Sequence, residues 1–145
     1  MRDLPRKLTA DELAELFEGG TQFVERLAET ESPLEHADDV IATLTEAQKI
    51  DALSAHPAIG AKNLSTRSAE EQGADADPAV LTELAYLNQV YEEKFGFRFV
   101  VFVAARPKRE ILNVLGERIG NTREEELETG LRELVAIARD RWTRT

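Results

Sequence analysis

Cysteine is absent from the 145 residues, which excludes thiolate catalysis, disulfide staples and Cys-ligated zinc and gives no sign of an oxidising compartment. Aromatic residues are scarce. One Trp, two Tyr and six Phe leave a core expected to consist mostly of Leu, Val, Ile and Ala. Basic residues are outnumbered, 18 Lys and Arg against 28 Asp and Glu, for a formal net charge of −10. A surface of that sign repels phosphate backbones and anionic lipid, so neither a nucleic acid nor a membrane is an expected partner. Arg139, Arg141 and Arg144 come nearest to a basic patch, but they alternate with Asp140 and Trp142 and read as cations at a helix C-terminus. No apolar run reaches transmembrane length, and Met1-Arg2-Asp3-Leu4-Pro5 lacks the apolar core of a signal peptide. A cytoplasmic location is the expectation.

What is present is helix punctuation. A hydrophobic fraction of 42% and a charged fraction of 32% fit an ordinary globule, and the length predicts one domain over residues 1–145. Thr9-Ala10-Asp11-Glu12 has capping-box spacing ahead of Leu13, Leu16 and Phe17, and Gly19-Gly20 ends that helix. Thr21 caps a second, with Phe23, Val24 and Leu27 inward. A third is expected from about Leu34 to Leu44. Thr45-Glu46-Ala47-Gln48 opens a fourth that leads directly to His56.

The stretch from His56 to Asp77 is loop-like, with a short helical turn expected at Ser68. Asp77-Pro78 then starts a long amphipathic helix with Val80, Leu81, Leu84, Leu87, Val90 and Tyr91 inward, ending near Gly96. Phe97 to Val103 is the one strand-like run, aromatic and β-branched, and it has no partner strand elsewhere. Pro107 starts a further helix carrying Ile111, Leu112, Val114, Leu115 and Ile119. Thr122 caps the last, with Glu125 at the box position and Leu127, Leu131, Leu134, Ile137 and Ala138 inward. The predicted class is all-α: a bundle of about seven to nine helices with an extended Phe97–Val103 segment.

Few residues in this pattern can carry chemistry. His36 lies in a polar helix start and receives no role. His56 precedes Pro57, which biases it to an extended conformation at a helix-to-loop junction, and Gly60 suits a tight turn. Such a histidine is either a helix-end cap or a proton-transfer group working near neutrality. Ser68-Ala69-Glu70-Glu71 reads as a capping box, in which Ser68 and Glu71 are structural unless the helix faces a pocket; Gln72 follows as a polar helix residue. Phe95-Gly96-Phe97 reads as a C-cap glycine followed by core aromatics, and Asn88 and Gln89 as exposed amides. Arg141 follows Ala138 by three residues, Ile137 by four and Leu134 by seven, so it shares their apolar face. There it either snorkels or aims its fork at an anion. Arg139 lies off that face and reads as solvated.

Taken in order, these segments resemble the 2-oxo-4-hydroxy-4-carboxy-5-ureidoimidazoline (OHCU) decarboxylase family of urate breakdown. His56-Pro57-Ala58-Ile59-Gly60 is similar to its His-Pro-x-Ile/Leu-Gly motif, and Ser68-x-x-Glu71-Gln72 to its Ser-x-x-Glu-Gln motif. Phe95-Gly96-Phe97-Arg98-Phe99 resembles its Phe-Gly-Phe-Pro-Phe segment, with Arg98 standing where proline is usual. Phe23 occupies a region where the family often has tryptophan. The Ile137-Ala138 to Arg141 ending resembles its last helix.

The resemblance implies an all-helical enzyme that converts OHCU to (S)-allantoin with loss of carbon dioxide and needs no metal or cofactor. It implies His56 and Glu71 as the acid-base pair. It also implies Pro57, Ser68, Gln72, Phe97 and Arg141 as substrate-binding residues, with Phe97 as a wall and Arg141 holding an anionic oxygen. A small ureidoimidazoline is the implied partner, and a homodimer the implied assembly. Two other readings stand beside it. One is a non-catalytic helical module that binds a ureide or purine derivative. The other is a ureide hydrolase in which His56 and Glu71 activate water.

Overall fold

Side-chain caps set five of the seven helix starts among the described residues. The computed structural model describes residues 3–59 and 77–144. Among them are seven α-helices: α1 Ala10–Phe17, α2 Gln22–Ala28, α3 Ala37–Thr43, α4 Glu46–Ala55, α5 Pro78–Phe95, α6 Lys108–Arg118 and α7 Arg123–Arg144. No β-strand occurs among the described residues, so the all-α expectation holds. Both halves of the capping box form at Thr9/Glu12 and at Thr45/Gln48. The third box does too: Thr122 N donates to Glu125 Oε1 at 2.9 Å and Glu125 N to Thr122 Oγ1 at 3.1 Å. Each box satisfies orphan N–H groups of a first turn. Asp77 caps α5 just ahead of Pro78. Gly96 closes the same helix at φ 80°, the left-handed conformation glycine adopts at no steric cost.

Helix α7 is the central element. It packs on α1, α3 and α4, while α2 fills the space against α1, α3 and α4, and α5 pairs with α6. Leu127, Leu131, Leu134, Ile137 and Ala138 of α7 are all buried, as their spacing predicts. Three expectations are displaced. Helix α3 begins at Ala37 rather than near Leu34, because Glu35 N and His36 N both donate to Ser32 O and form a separate turn around the buried Leu34. Leu81 is exposed, since the inward stripe of α5 runs through Val80, Leu84, Tyr91 and Phe95. At the end of α6, Arg118 is buried while Ile119, the cap residue just past it, is only half-buried.

The strand-like run is buried as predicted, yet pairs with no strand among the described residues. Phe97, Phe99, Val100, Val101 and Val103 lie in the core. A buried extended backbone must still place its polar groups, and here side chains take them. Arg118 Nη1 donates to Val100 O at 2.8 Å, Phe102 N donates to Glu133 Oε1 at 3.2 Å, and Arg106 Nη2 donates to Phe102 O at 2.6 Å. Helices α6 and α7 thus substitute for a sheet.

The same helices share a buried polar network that sequence periodicity did not reveal. Glu126 is fully buried in α7. Its Oε1 accepts from Arg118 Nε and from Tyr91 Oη, each at 2.7 Å, and its Oε2 accepts from Asn121 Nδ2 at 2.9 Å. The Arg118 guanidinium also lies 4.6 Å from the Phe99 ring centre, a cation–π contact. Burial, with the bonded Glu126 carboxylate beside it, pushes the Tyr91 hydroxyl above its ordinary titration range. Removing one member of a buried ion pair strands the other, so Arg118→Met is expected to destabilise by about 3–5 kcal/mol. Tyr91→Phe removes one hydrogen bond to a carboxylate that keeps its other donors, for a loss of roughly 1–3 kcal/mol. Urea unfolding that ranks the two variants the other way would show that the ion pair is not what holds these helices together.

Candidate active site

The C-termini of α1 and α4 meet at Gly19. A Cβ built on that glycine would lie 2.7 Å from the Ala55 Cβ, so any side chain there would force the two helix ends apart. Just before it, Glu18 closes α1 in the left-handed conformation, φ 59° and ψ 34°. Sequence reading gave the helix-ending role to the glycine pair. The structure puts the strained conformation on the glutamate and uses Gly19 for clearance. A non-glycine residue in that region costs on the order of 1–2 kcal/mol, and its side chain is accordingly well anchored.

His56 caps α4 in an extended conformation, φ −79° and ψ 136°, as the residue before a proline should. Its side chain is not at the surface: the residue is 7% exposed. Nδ1 lies 3.6 Å from Glu18 Oε2, beyond hydrogen-bond range, and has no other hydrogen-bond partner among the described residues. Arg141, on the inward face of α7 and 3% exposed, reaches the same carboxylate, with Nη2 3.4 Å from Glu18 Oε2. Its Nη1 donates to Leu16 O at 3.0 Å. Glu18 therefore stands between an imidazole and a guanidinium, joining α1, α4 and α7.

Of the residues singled out in the sequence, the structure brings His56 and Arg141 together around Glu18. Pro57 is half-buried beside His56. Gly60, Ser68, Glu71 and Gln72, with the short turn expected at Ser68, lie outside the described residues. Phe97 is buried in an aromatic cluster, its ring centre 5.9 Å from Phe95 and 6.1 Å from Tyr91, with the Arg123 guanidinium 5.5 Å away. Its neighbour Arg98 is the residue that crosses to His56: Nη1 donates to His56 O at 2.7 Å and to Ser54 O at 3.1 Å.

Two polar residues differ from expectation. Arg139 is half-buried rather than solvated, because its Nε donates to Leu34 O at 2.6 Å. Asn88 is half-buried rather than exposed, with Nδ2 donating to Ile59 O at 3.3 Å. Glu18 and Arg98 were missed as site residues. The only sequence signal for Glu18 was an acid directly before a glycine pair; for Arg98 it was a lone cation in an otherwise apolar run. A groove of about 980 Å³ between α5 and α6, lined by residues including Val80, Glu83, Leu87 and Arg109, includes neither His56 nor Arg141 in its lining.

Comparison with known proteins agrees over almost the whole chain. The family described as OHCU decarboxylase matches residues 2–143. The 2-oxo-4-hydroxy-4-carboxy-5-ureidoimidazoline decarboxylase of Xenopus laevis is 32% identical over 108 residues, covering 68% of this chain and 62% of the relative. The uric acid degradation bifunctional protein of Bacillus sp. strain TB-90 is 30% identical over 105 residues, covering 69% of this chain and 21% of the relative. The chain thus spans a fifth to three fifths of the length of these two relatives. A crystal structure of OHCU decarboxylase in the presence of (S)-allantoin superimposes with a TM-score of 0.77 at 28% identity, covering 92% of this chain and 96% of that one.

His56 titrates well below the ordinary imidazole range. Its pKa is lowered from 6.5 to about 4, first by burial, then by the Arg141 charge and more weakly by Arg98, with Glu18 acting in the opposite direction. The imidazole is therefore neutral at pH 7. Because the folded-state pKa lies below the unfolded one, the unfolded chain binds the extra proton between the two values. This contribution to stability is complete above pH 6.5 and is lost as pH falls towards 4, an effect on the order of 3 kcal/mol. Urea unfolding at pH 7 and pH 5 should show about 2 kcal/mol of that loss in the wild type and a smaller one in His56→Gln. An unchanged difference would mean that the pH dependence comes from the carboxylates alone.

Proposed function

The chain belongs to the OHCU decarboxylase family, and from that premise we propose that it decarboxylates OHCU to (S)-allantoin in urate breakdown. The observation that carries this reading is a buried, neutral His56 on the family's His-Pro motif, beside a carboxylate and facing the charge of Arg141. The reaction asks little else of a protein. The bond from the ring carbon to the carboxylate breaks and carbon dioxide leaves. The electron pair passes into the conjugated C=N of the substrate, whose ring nitrogen takes up a proton from solvent; the hydroxyl-bearing carbon then becomes a carbonyl as its proton departs, and a proton is delivered to one face of the neighbouring carbon. The substrate is its own electron sink, so orientation and proton placement are what the enzyme contributes.

A neutral imidazole at pH 7 can accept the hydroxyl proton, which an imidazolium cannot. Burial and the fixed cations keep the ring neutral but also disfavour the imidazolium that proton acceptance forms, a cost that the negative charge of a bound carboxylate offsets. Arg141 supplies positive potential for the departing carboxylate while remaining bonded to Leu16 O and close to Glu18. By resemblance, Glu71 shares the proton transfers, Pro57 and Phe97 shape the pocket, and Ser68 and Gln72 hydrogen-bond the ring and ureido groups. The substrate class is a small anionic heterocycle.

Freshly generated OHCU supplies the test. Spontaneous decay produces racemic allantoin, so optical activity reports the protein's contribution. Accumulation of (S)-allantoin supports the reading; ammonia release would indicate a ureide hydrolase, and binding without turnover a binding module. His56→Ala is expected to cut turnover by roughly 10²–10⁴-fold, and a loss smaller than about twofold would remove His56 from the mechanism.

Glu71→Gln separates a catalytic carboxylate from a helix cap, since glutamine fills the third position of a capping box nearly as well as glutamate. A large fall in turnover at almost unchanged Tm is expected. Retained activity would return Glu71 to a structural role.

A further inference from the structure

We propose that Arg98 is the positioning residue for His56, holding the imidazole in register by gripping the backbone on either side of the α4 terminus. The inference rests on the reading of His56 as the acid-base group, and it begins with an unmet requirement of helix α4. The last four carbonyls of an α-helix have no partner within the helix. They are commonly satisfied by N–H groups of the chain that follows, through a left-handed residue just past the cap. That solution is closed here. The residue after the His56 cap is Pro57, which has no N–H, and His56 itself is extended.

One of these carbonyls, Leu53 O, accepts from His56 N at 3.2 Å; for another, Ser54 O, the donor is Arg98, 42 residues beyond the cap. Its Nη1 donates to His56 O at 2.7 Å and to Ser54 O at 3.1 Å, and its charge lies at the negative end of the helix dipole, where a cation is favoured. Asn88 Nδ2 donates to Ile59 O at 3.3 Å, so the His56–Ile59 segment is held at both ends by side chains from residues 88 and 98. Fixing the His56 carbonyl fixes the peptide plane that sets the imidazole's direction. The ring nitrogen facing Glu18 stands 3.6 Å from that carboxylate, a separation set by backbone placement and not by a hydrogen bond of its own. A backbone shift of a fraction of an ångström would therefore be transmitted directly to the reacting group. Misplacement by 1 Å can cost on the order of 10²-fold in rate.

Arg98→Met keeps the aliphatic stem and removes both donors and charge; Arg98→Lys keeps the charge and one mobile donor. Both are compared with wild type by steady-state turnover of OHCU and by NMR titration of the His56 ring, the chain's only other histidine being His36. Arg98→Met is expected to lower kcat roughly 10- to 100-fold with a smaller change in KM, and to move the His56 titration upwards from its wild-type position. Arg98→Lys should recover part of kcat and most of the titration position. A purely structural clamp would lower Tm and leave kcat unchanged in the folded protein, which would overturn the proposal; the titration shift in Arg98→Met reports the lost charge in either case. If Arg98→Met does not fold, Arg98→Lys decides, since its carbonyl grip is weakened at constant charge: full kcat would count against the proposal and a reduced kcat for it. Absence of turnover in the wild type would refute the decarboxylase reading. The NMR chemical shifts of the His56 ring in Arg98→Lys, where the charge is kept, would then decide whether Arg98 positions His56, because they need no substrate: a changed ring environment supports the proposal and an unchanged one overturns it.

Discussion

A single carboxylate holds the site together. Glu18 is the closing residue of α1, and its Oε2 stands 3.4 Å from a guanidinium of α7 and 3.6 Å from the ring of the α4 cap residue. Water is largely excluded from all three groups, so the interactions among them are stronger than at a surface and an unbalanced charge would be costly. Arg141 balances Glu18 directly. With that pairing in place, the most stable form of His56 is the neutral one, first because burial disfavours its charge and then because the Arg141 charge does. The protonation state of the imidazole thus follows from the helix packing and is not a property of the histidine alone.

The backbone conformations at this junction follow from the same constraint. Glu18 adopts a left-handed conformation that most residues avoid, and Gly19 is limited to a hydrogen side chain by Ala55. Both permit α1 to end against α4 at contact distance. Pro57 then turns the chain and removes the donor that would ordinarily finish α4, and the side chain of Arg98 fills the gap. Each irregularity has a neighbour that makes it tolerable, and the sum is an imidazole fixed by backbone contacts rather than by a strong hydrogen bond of its own.

Helix α7 carries a second buried charged residue in its first turns. Glu126, with Arg118, Tyr91 and Asn121, ties α7 to α5 and α6 and helps satisfy the backbone of the extended 97–103 segment. That segment begins just after Gly96 and contains Arg98, and so relates the Glu126 network to the placement of the clamp on His56. Both networks lie in a core otherwise composed of Leu, Val, Ile, Phe and Ala. They specify how α7 is oriented against its neighbours, which apolar packing alone leaves less constrained.

Much of this was legible in the chain itself. Three capping boxes, the Asp77-Pro78 start and the Gly96 stop marked helix ends because those signals act within four residues. The apolar spacing of the last helix placed Arg141 on the inward face, and Pro57 made His56 extended, because helical phase and proline sterics are also local. The partners of these residues could not be read in the same way. Glu18 meets Arg141 across 123 residues, Arg98 meets His56 across 42, and Arg139 finds Leu34 O across 105. A charged side chain on an exposed helix end and one that closes a buried junction look alike in sequence. The difference is made by which backbone carbonyls and carboxylates the packed helices leave without partners, and only the tertiary structure determines those.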